Sequence, residues 1–157
     1  MKVCVMALGR PRESFIAEGV EHYQTRLRPL LPVEWLFIPE PAKGKKLTPE
    51  QRKILEGSLF LRHIAKQDVL FLLDERGKQL ASEELSETIY RFTAQGQGKI
   101  IFLIGGPYGT SAELQQRADH MVSLSKMTFT HEMALLLLSE QIYRAAMIRN
   151  GSKYHHQ

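Results

Sequence analysis

The sequence predicts an α/β domain built on an open, mainly parallel sheet with helices on both faces. Three observations lead there. Five short strand-like runs alternate with helical patterns along the 157 residues, the arrangement that βαβ units leave in a sequence. Two of those runs, "DVLFLLD" (68–74) and "KIIFLI" (99–104), are almost wholly apolar, as parallel strands buried on both faces should be. The length allows one substantial core and falls short of two ordinary domains, so residues 1–157 are read as one domain; 43% hydrophobic and 24% charged residues match a soluble globular protein.

The elements follow in order. "KVCVMAL" (2–8) is the first strand, and Cys4, the single cysteine, reads as a small buried hydrophobe within it; no internal disulfide can form. Phe15, Ile16, Gly19, Val20 and Tyr23 make the apolar stripe of the first helix. "VEWLFI" (33–38) is the second strand, and the Pro-rich "PEPAKGKK" (39–46) is a surface loop. Thr48, Pro49 and Gln51 predict a capping box with proline at the first helical position. After the strand at 68–74, Ser82 followed by Glu83 and Glu84 starts a helix whose Leu85, Ile89 and Phe92 repeat at helical spacing. The strand at 99–104 ends in "LIGGPYG"; Ser111 then starts a short helix, "AELQQRA". "HMVSLS" (120–125) is the last strand, and after "TFTH" comes a long helix, "EMALLLLSEQIYRAAMIR", apolar on more than one face. Such a helix must be buried, and in a chain this small a subunit interface is a natural place, so a homodimer is expected.

Composition excludes some functions. Nothing approaches 18 consecutive apolar residues, and the opening stretch lacks a small-residue cleavage site, so neither a membrane span nor a signal peptide is read and a cytoplasmic location is expected. A net charge of +4 is weak evidence for a nucleic-acid partner. Its distribution says more. "KGKKLTPEQRK" (43–53) holds five basic residues and one acid, and the chain from Gln141 carries Arg144, Arg149, Lys153, His155 and His156 with no acid. Each segment alone reads as a solvated loop or a frayed end. Together, with Tyr143 and Tyr154 interleaved, they are candidates for contacting phosphates and stacking on bases.

In open parallel sheets ligands sit outside the carboxyl ends of the strands, which directs attention to "LDERGK" after the third strand and "GGPYG" after the fourth. Gly105 and Gly106 allow positive φ and a close approach of backbone to ligand, although a bare tight turn uses the same residues. Several familiar motifs fail. "GGPYG" is neither G-x-G-x-x-G nor a P-loop. "HEMAL" would need a histidine at 135 to bind zinc and has Leu135. "SLSK" (123–126) fits S-x-x-K without the accompanying motifs. His22, His63 and His120 are isolated and read as surface or satisfied core residues.

Taken in order, "MKVCVMALGR", "FLLDERGK", "LIGGPYG" and "SLSKMTFTHEMALLLLSEQIYRAAMIRNGSKYHH" resemble the RlmH family, the 23S ribosomal RNA pseudouridine N3-methyltransferases of the SPOUT (trefoil-knot) class. The resemblance spans essentially the whole chain, and its most specific part is "SLSKMTF" followed by a helix carrying "EQIYRA" and a terminal G-x-x-Y-H. It implies a knotted α/β domain, a C-terminal segment threaded through a loop of the sheet, and a last helix packed in a homodimer. It further implies that S-adenosylmethionine lies against Leu73, Gly105, Leu124, Ser125, Lys126, Met127, Thr128 and Phe129, held largely by backbone groups. Adenine offers a flat apolar face with hydrogen-bonding edges, which such a pocket can both stack on and read; plain core packing would explain Leu73, Leu124 and Phe129 without the resemblance.

The implied substrate atom is N3 of a pseudouridine in 23S rRNA within the ribosome. Loss of its proton leaves charge on the flanking carbonyl oxygens, which Arg144, Tyr154 and His155, supplied by the partner subunit, would stabilise. His155 would alternatively take the proton as a general base. One departure from the family pattern is Leu135, where an arginine is frequent; its work would fall to Lys126, Arg144 or Arg149. No metal is implied. Two other classes stay open: a non-catalytic RNA- or ribosome-binding factor on a knotted fold, and a flavodoxin- or Rossmann-type protein, against which the missing phosphate-loop pattern counts.

Overall fold

The computed structural model describes residues 2–41, 46–96 and 98–151. Its elements are β1 (Lys2–Leu8), α1 (Ser14–Leu27), β2 (Val33–Ile38), α2 (Pro49–Leu61), β3 (Val69–Gln79), α3 (Ser82–Ala94), β4 (Lys99–Ile104), α4 (Ala112–Arg117), β5 (His120–Ser123) and α5 (His131–Arg149). The strands form a single sheet in the order β2-β1-β4-β3-β5, and every pairing is parallel. Three strands are therefore interior: β1 joins the two apolar runs, with Val3, Val5 and Met6 fully buried.

Alternation along each strand divides the core in two. Val3, Val5, Ala7, Phe71, Ile100 and Phe102 point to one face, where α1, α3 and α5 cover them. Cys4, Met6, Leu70, Leu72, Ile101 and Leu103 point to the other, beneath Phe60 of α2 and Leu114 of α4. A two-residue period on strands closed on both sides produces these layers. Each buried branched or aromatic side chain contributes about 1.5–3 kcal/mol, so the sheet is rigid support for the loops at its edge.

The helices begin where local chemistry dictates. Thr48 and Gln51 exchange the two bonds of a capping box, Gln51 N–H to Thr48 Oγ1 at 3.1 Å and Thr48 N–H to Gln51 Oε1 at 3.0 Å. Ser111 and Thr130 accept from Leu114 N and Met133 N at the starts of α4 and α5. In α3, Ser82 is the first helical residue, and the carboxylate of Glu84 accepts from Ala81 N–H at 2.7 Å.

Two expectations need correction. The third strand does not stop at Asp74: β3 runs on to Gln79, and its register against β5 breaks between Leu73 and Lys78, both of which pair with Val122. Residues 74–77 are thus a bulge within a strand, and Gly77 is required because a Cβ there would lie 2.6 Å from the β5 backbone at Met121 and Val122. Phe15, placed in the buried stripe of the first helix, is 58% exposed. The long helix α5, expected to be buried, is covered within the chain over part of its surface. It packs on α1 and α3 within the chain, with Leu135, Leu138, Ile142, Ala145 and Ala146 buried. The segment from β5 to α5 leaves the β3 edge and crosses to the α1/α3 face, a path compatible with the threading that the resemblance implies. No helix among the described residues is long and apolar enough to cross a membrane.

Candidate active site

A cleft of about 930 Å³ opens at the carboxyl ends of β3, β4 and β5. Its walls are the β3 bulge (Leu73 to Arg76), the glycine turn after β4 (Ile104 to Thr110), the loop after β5 (Leu124, Ser125 and Met127 to Thr130) and the first turns of α1 and α5. The volume falls in the range that holds a nucleoside-sized ligand.

The glycine turn is closed by a bond from Gly109 N–H to Gly106 O at 3.0 Å. Only Gly109 within it uses the left-handed region, at φ +90, where a Cβ would be strained. Gly105 and Gly106 do not have positive φ; they are needed for close packing behind the turn. A Cβ on Gly105 would stand 2.6 Å from Thr110 Cγ2, and one on Gly106 would stand 2.6 Å from Glu56 Oε1. The absent side chain of Gly105 therefore lets the turn fold tightly on itself and that of Gly106 lets it pack on α2, with Pro107, Tyr108 and Gly109 at the exposed tip.

The two flanking segments are tied together. Thr128 Oγ1 donates to Glu75 Oε2 at 2.6 Å, joining the loop after β5 to the bulge. Within that loop Ser123 Oγ donates to Ser125 O at 2.7 Å and Ser125 Oγ accepts from Met127 N–H at 3.0 Å, local side-chain bonds that fix an irregular backbone. In the bulge, Arg76 forms a bidentate pair with Asp74, Nε to Oδ1 at 2.9 Å and Nη2 to Oδ2 at 2.8 Å, and these bonds hold the Asp74 carboxyl below its usual range. Across the cleft, Glu132 in the first turn of α5 accepts from Arg12 N–H at 2.9 Å and Glu13 N–H at 3.1 Å. Its carboxylate thereby caps α1 from another helix and satisfies donors at a positive helix end.

The residues that the resemblance placed around a cofactor come together here: Leu73, Gly105, Leu124, Ser125, Met127, Thr128 and Phe129 all line the cleft. Lys126 is exposed and lies outside the lining. Arg144 also lies outside it; half-buried on α5, it is held by Glu140 Oε1, with Nη2 at 2.6 Å and Nε at 3.1 Å. Tyr154 and His155 fall outside the described residues, as do residues 43–45 of the basic segment. Leu135 is 3% exposed and part of the core, so within one chain that position does not face the cleft. His120 is exposed and lays its ring on Phe71 with centroids 4.6 Å apart, a surface position as one of the two expected readings had it. Burial pushes the Cys4 thiol up to about 12, and it stays inert at neutral pH.

Sequence reasoning missed Glu13, Phe15, Glu75, Arg76 and Glu132 as wall residues. The acid in the first turn of α5 was visible as a favourable helix-end charge, but its bonds span 120 residues and had no local signal. The lining carries four carboxylates, Glu13, Asp74, Glu75 and Glu132, against the single guanidinium of Arg76, an excess that suits a ligand bearing positive charge. Met127, 74% exposed, and Phe129, 39% exposed, add apolar contact surface at the rim. Among the described residues no group of acids, histidines and cysteines could hold a metal ion.

Comparison with known proteins agrees with this geometry. Residues 1–155 match a family model described as "Predicted SPOUT methyltransferase". The chain is 45% identical over 158 residues to the ribosomal RNA large subunit methyltransferase H of Desulfotalea psychrophila, covering 99% of each chain. It is 42% identical over 156 residues to the protein of the same name from Cytophaga hutchinsonii, covering 99% of this chain and 100% of the relative. Among solved structures, a probable methylase family protein from Haemophilus influenzae superposes with a TM-score of 0.60 at 13% identity, over 99% of this chain and 70% of that one; at that identity the likeness concerns the fold alone.

Proposed function

The chain belongs to the SPOUT methyltransferase family, and from that premise we propose that it transfers a methyl group from S-adenosylmethionine to N3 of a pseudouridine in 23S rRNA, on the assembled ribosome. The observation that carries this reading is the cleft itself. Three loops that are distant in sequence converge at the ends of β3, β4 and β5, and seven of the eight residues proposed for the cofactor line the space between them. The name shared by the relatives supports large-subunit rRNA as the substrate.

The residues present fit that cofactor. Leu73, Leu124, Met127 and Phe129 offer apolar surface for a purine, and the glycine turn and the loop after β5 offer backbone donors and acceptors. The surplus of carboxylates suits the cofactor's sulfonium and ammonium charges. When bound, S-adenosylmethionine supplies an electrophilic methyl group. The chain's own work is alignment and exclusion of water: the Thr128–Glu75 bond and the Glu132 clamp fix the cleft walls, so the nucleophile meets the methyl carbon in line.

Charge developing on the base needs a donor, and none of Arg144, Tyr154 and His155 is placed in this cleft by the described residues. A homodimer in which a second subunit brings these groups to the cleft completes the site. Exposed Phe15, Met127 and Phe129 form an apolar rim that a second subunit would cover. Basic residues of 43–53 would contact phosphates, with target choice depending on ribosome shape.

Calorimetric titration tests the cofactor assignment. S-adenosylmethionine and its demethylated product are expected to bind with micromolar-range affinity, about −8 kcal/mol, while FMN and NAD show no heat of binding. Binding of FMN or NAD in place of the methyl donor would reverse the assignment.

A further inference from the structure

The buried polar side chains of the described residues have partners, with one exception. Asp68 accepts from Ala65 N–H and Lys99 N–H, and Ser86, Ser123 and Ser139 donate to backbone carbonyls. Glu56 of α2 is 2% exposed, and neither of its carboxylate oxygens has a hydrogen-bond partner. The nearest cation is Arg52 on the same helix, whose Nε stands 3.8 Å away, beyond hydrogen-bond reach. A buried carboxylate in this condition is costly and calls for an explanation.

Its location supplies one. Glu56 sits directly behind Gly106, close enough that even a Cβ on that glycine would be 2.6 Å from Oε1. The next residue, Gly57, packs on Ser111 at the far end of the same turn, where a Cβ would collide with the Ser111 hydroxyl. One step of α2 thus supports the glycine turn at both ends, on the side opposite the cleft. We propose that Glu56 is a positioning residue for the glycine turn: its carboxylate is the acceptor onto which a backbone N–H of Gly105 or Gly106 closes when S-adenosylmethionine fills the cleft. This rests on the cofactor assignment above.

The coupling has a sign. Burial raises the Glu56 carboxyl above its ordinary value of 4.5, with Arg52 opposing and Glu40 reinforcing the rise. Facing it from the turn, Gly106 carries no titratable group, and neither do Ser111 and Leu114, which pack on the adjoining Gly57. A bond from the turn favours the ionised form, so the carboxyl loses its proton more readily in the bound state than in the free one. Cofactor binding then releases protons, and affinity rises with pH up to the raised value of the free protein, levelling beyond it.

The test is titration of the full-length protein with S-adenosylmethionine across this window, in paired buffers of different ionisation heat, for wild type and Glu56→Gln. Wild type is expected to release protons and to tighten with pH. Glu56→Gln is expected to bind about five- to tenfold more weakly at pH 8, as for loss of one charge-assisted bond, with a flat pH profile and a Tm equal to or above wild type because an unpartnered charge is gone. A merely structural role predicts a lower Tm and an unchanged pH slope. Equal binding by both proteins, or wild-type binding without proton release, overturns the proposal alone, and the second result needs no variant. A wild type that binds no S-adenosylmethionine overturns the cofactor assignment and this proposal with it.

Discussion

Deletion of residues 153–157 is expected to leave S-adenosylmethionine binding within about twofold of the full chain while reducing methyl transfer at least about a thousandfold. Cofactor binding and charge stabilisation on the substrate are separate tasks. Among the described residues the cofactor walls come from Glu13 to Ala134, and their ties, Thr128 to Glu75 and Glu132 to the start of α1, lie within that span. Charge stabilisation on the substrate is the role proposed for Tyr154 and His155, with Arg144 on α5. Loss of one well-placed donor to a developing anion costs about a hundred- to a thousandfold in rate, and the deletion removes two candidates together. Calorimetry and a transfer assay on the same preparation separate the effects. A truncated protein with normal turnover would remove Tyr154 and His155 from the reaction.

Replacement of Gly105 by valine is the second large effect, expected to weaken S-adenosylmethionine binding about a hundredfold while lowering Tm by only several degrees. The added Cβ alone would stand 2.6 Å from Thr110 Cγ2, nearer than real Cβ contacts allow, so the turn must shift. Overpacking of this kind costs about 1–3 kcal/mol, and each kcal/mol is worth about 2–4 °C in a chain of this size. A displacement approaching 1 Å in a backbone that contacts the ligand costs about a hundredfold in function. The clash also predicts a rescue. Thr110→Ser removes Cγ2, so Gly105→Ala combined with Thr110→Ser should bind better than Gly105→Ala alone, a coupling that a double-mutant cycle measures. If Gly105→Val binds the cofactor as wild type does, the glycine turn is no part of the site.

Much of the scaffold is legible in the sequence because local physics decides it. The boundaries of β1, β2 and β4 coincide with apolar runs, and α2 begins at the capping box that Thr48, Pro49 and Gln51 predict. The continuation of β3 is not legible in the same way. "DERGK" breaks the apolar run, and the strand persists there because Lys78 and Gln79 regain pairing with β5 after a bulge; Gly77, isolated in a strand, was the available hint. The burial of α5 was read correctly, and part of its cover lies within the chain. Periodicity reports that a helix is covered, never by what, and here α1 and α3 provide that part of the cover.

The cleft residues divide likewise. Gly105 and its neighbours stand out by residue type, whereas Leu73, Leu124 and Phe129 look like core until a family pattern marks them. Neither Glu132 nor Glu56 carried a local mark of its tertiary role. Both acids sit on helices at positions that read as solvated, and only the tertiary fold sets one against the N–H groups of Arg12 and Glu13 and the other behind Gly106.

The central claim is that this cleft presents a methyl donor to a ribosomal pseudouridine. Its most direct test is transfer of labelled methyl from S-adenosylmethionine to ribosomes lacking the modification, with the labelled nucleotide then mapped. The account predicts stoichiometric incorporation at N3 of one pseudouridine in 23S rRNA. Absence of incorporation by a preparation that binds S-adenosylmethionine, or label on another atom, would contradict it.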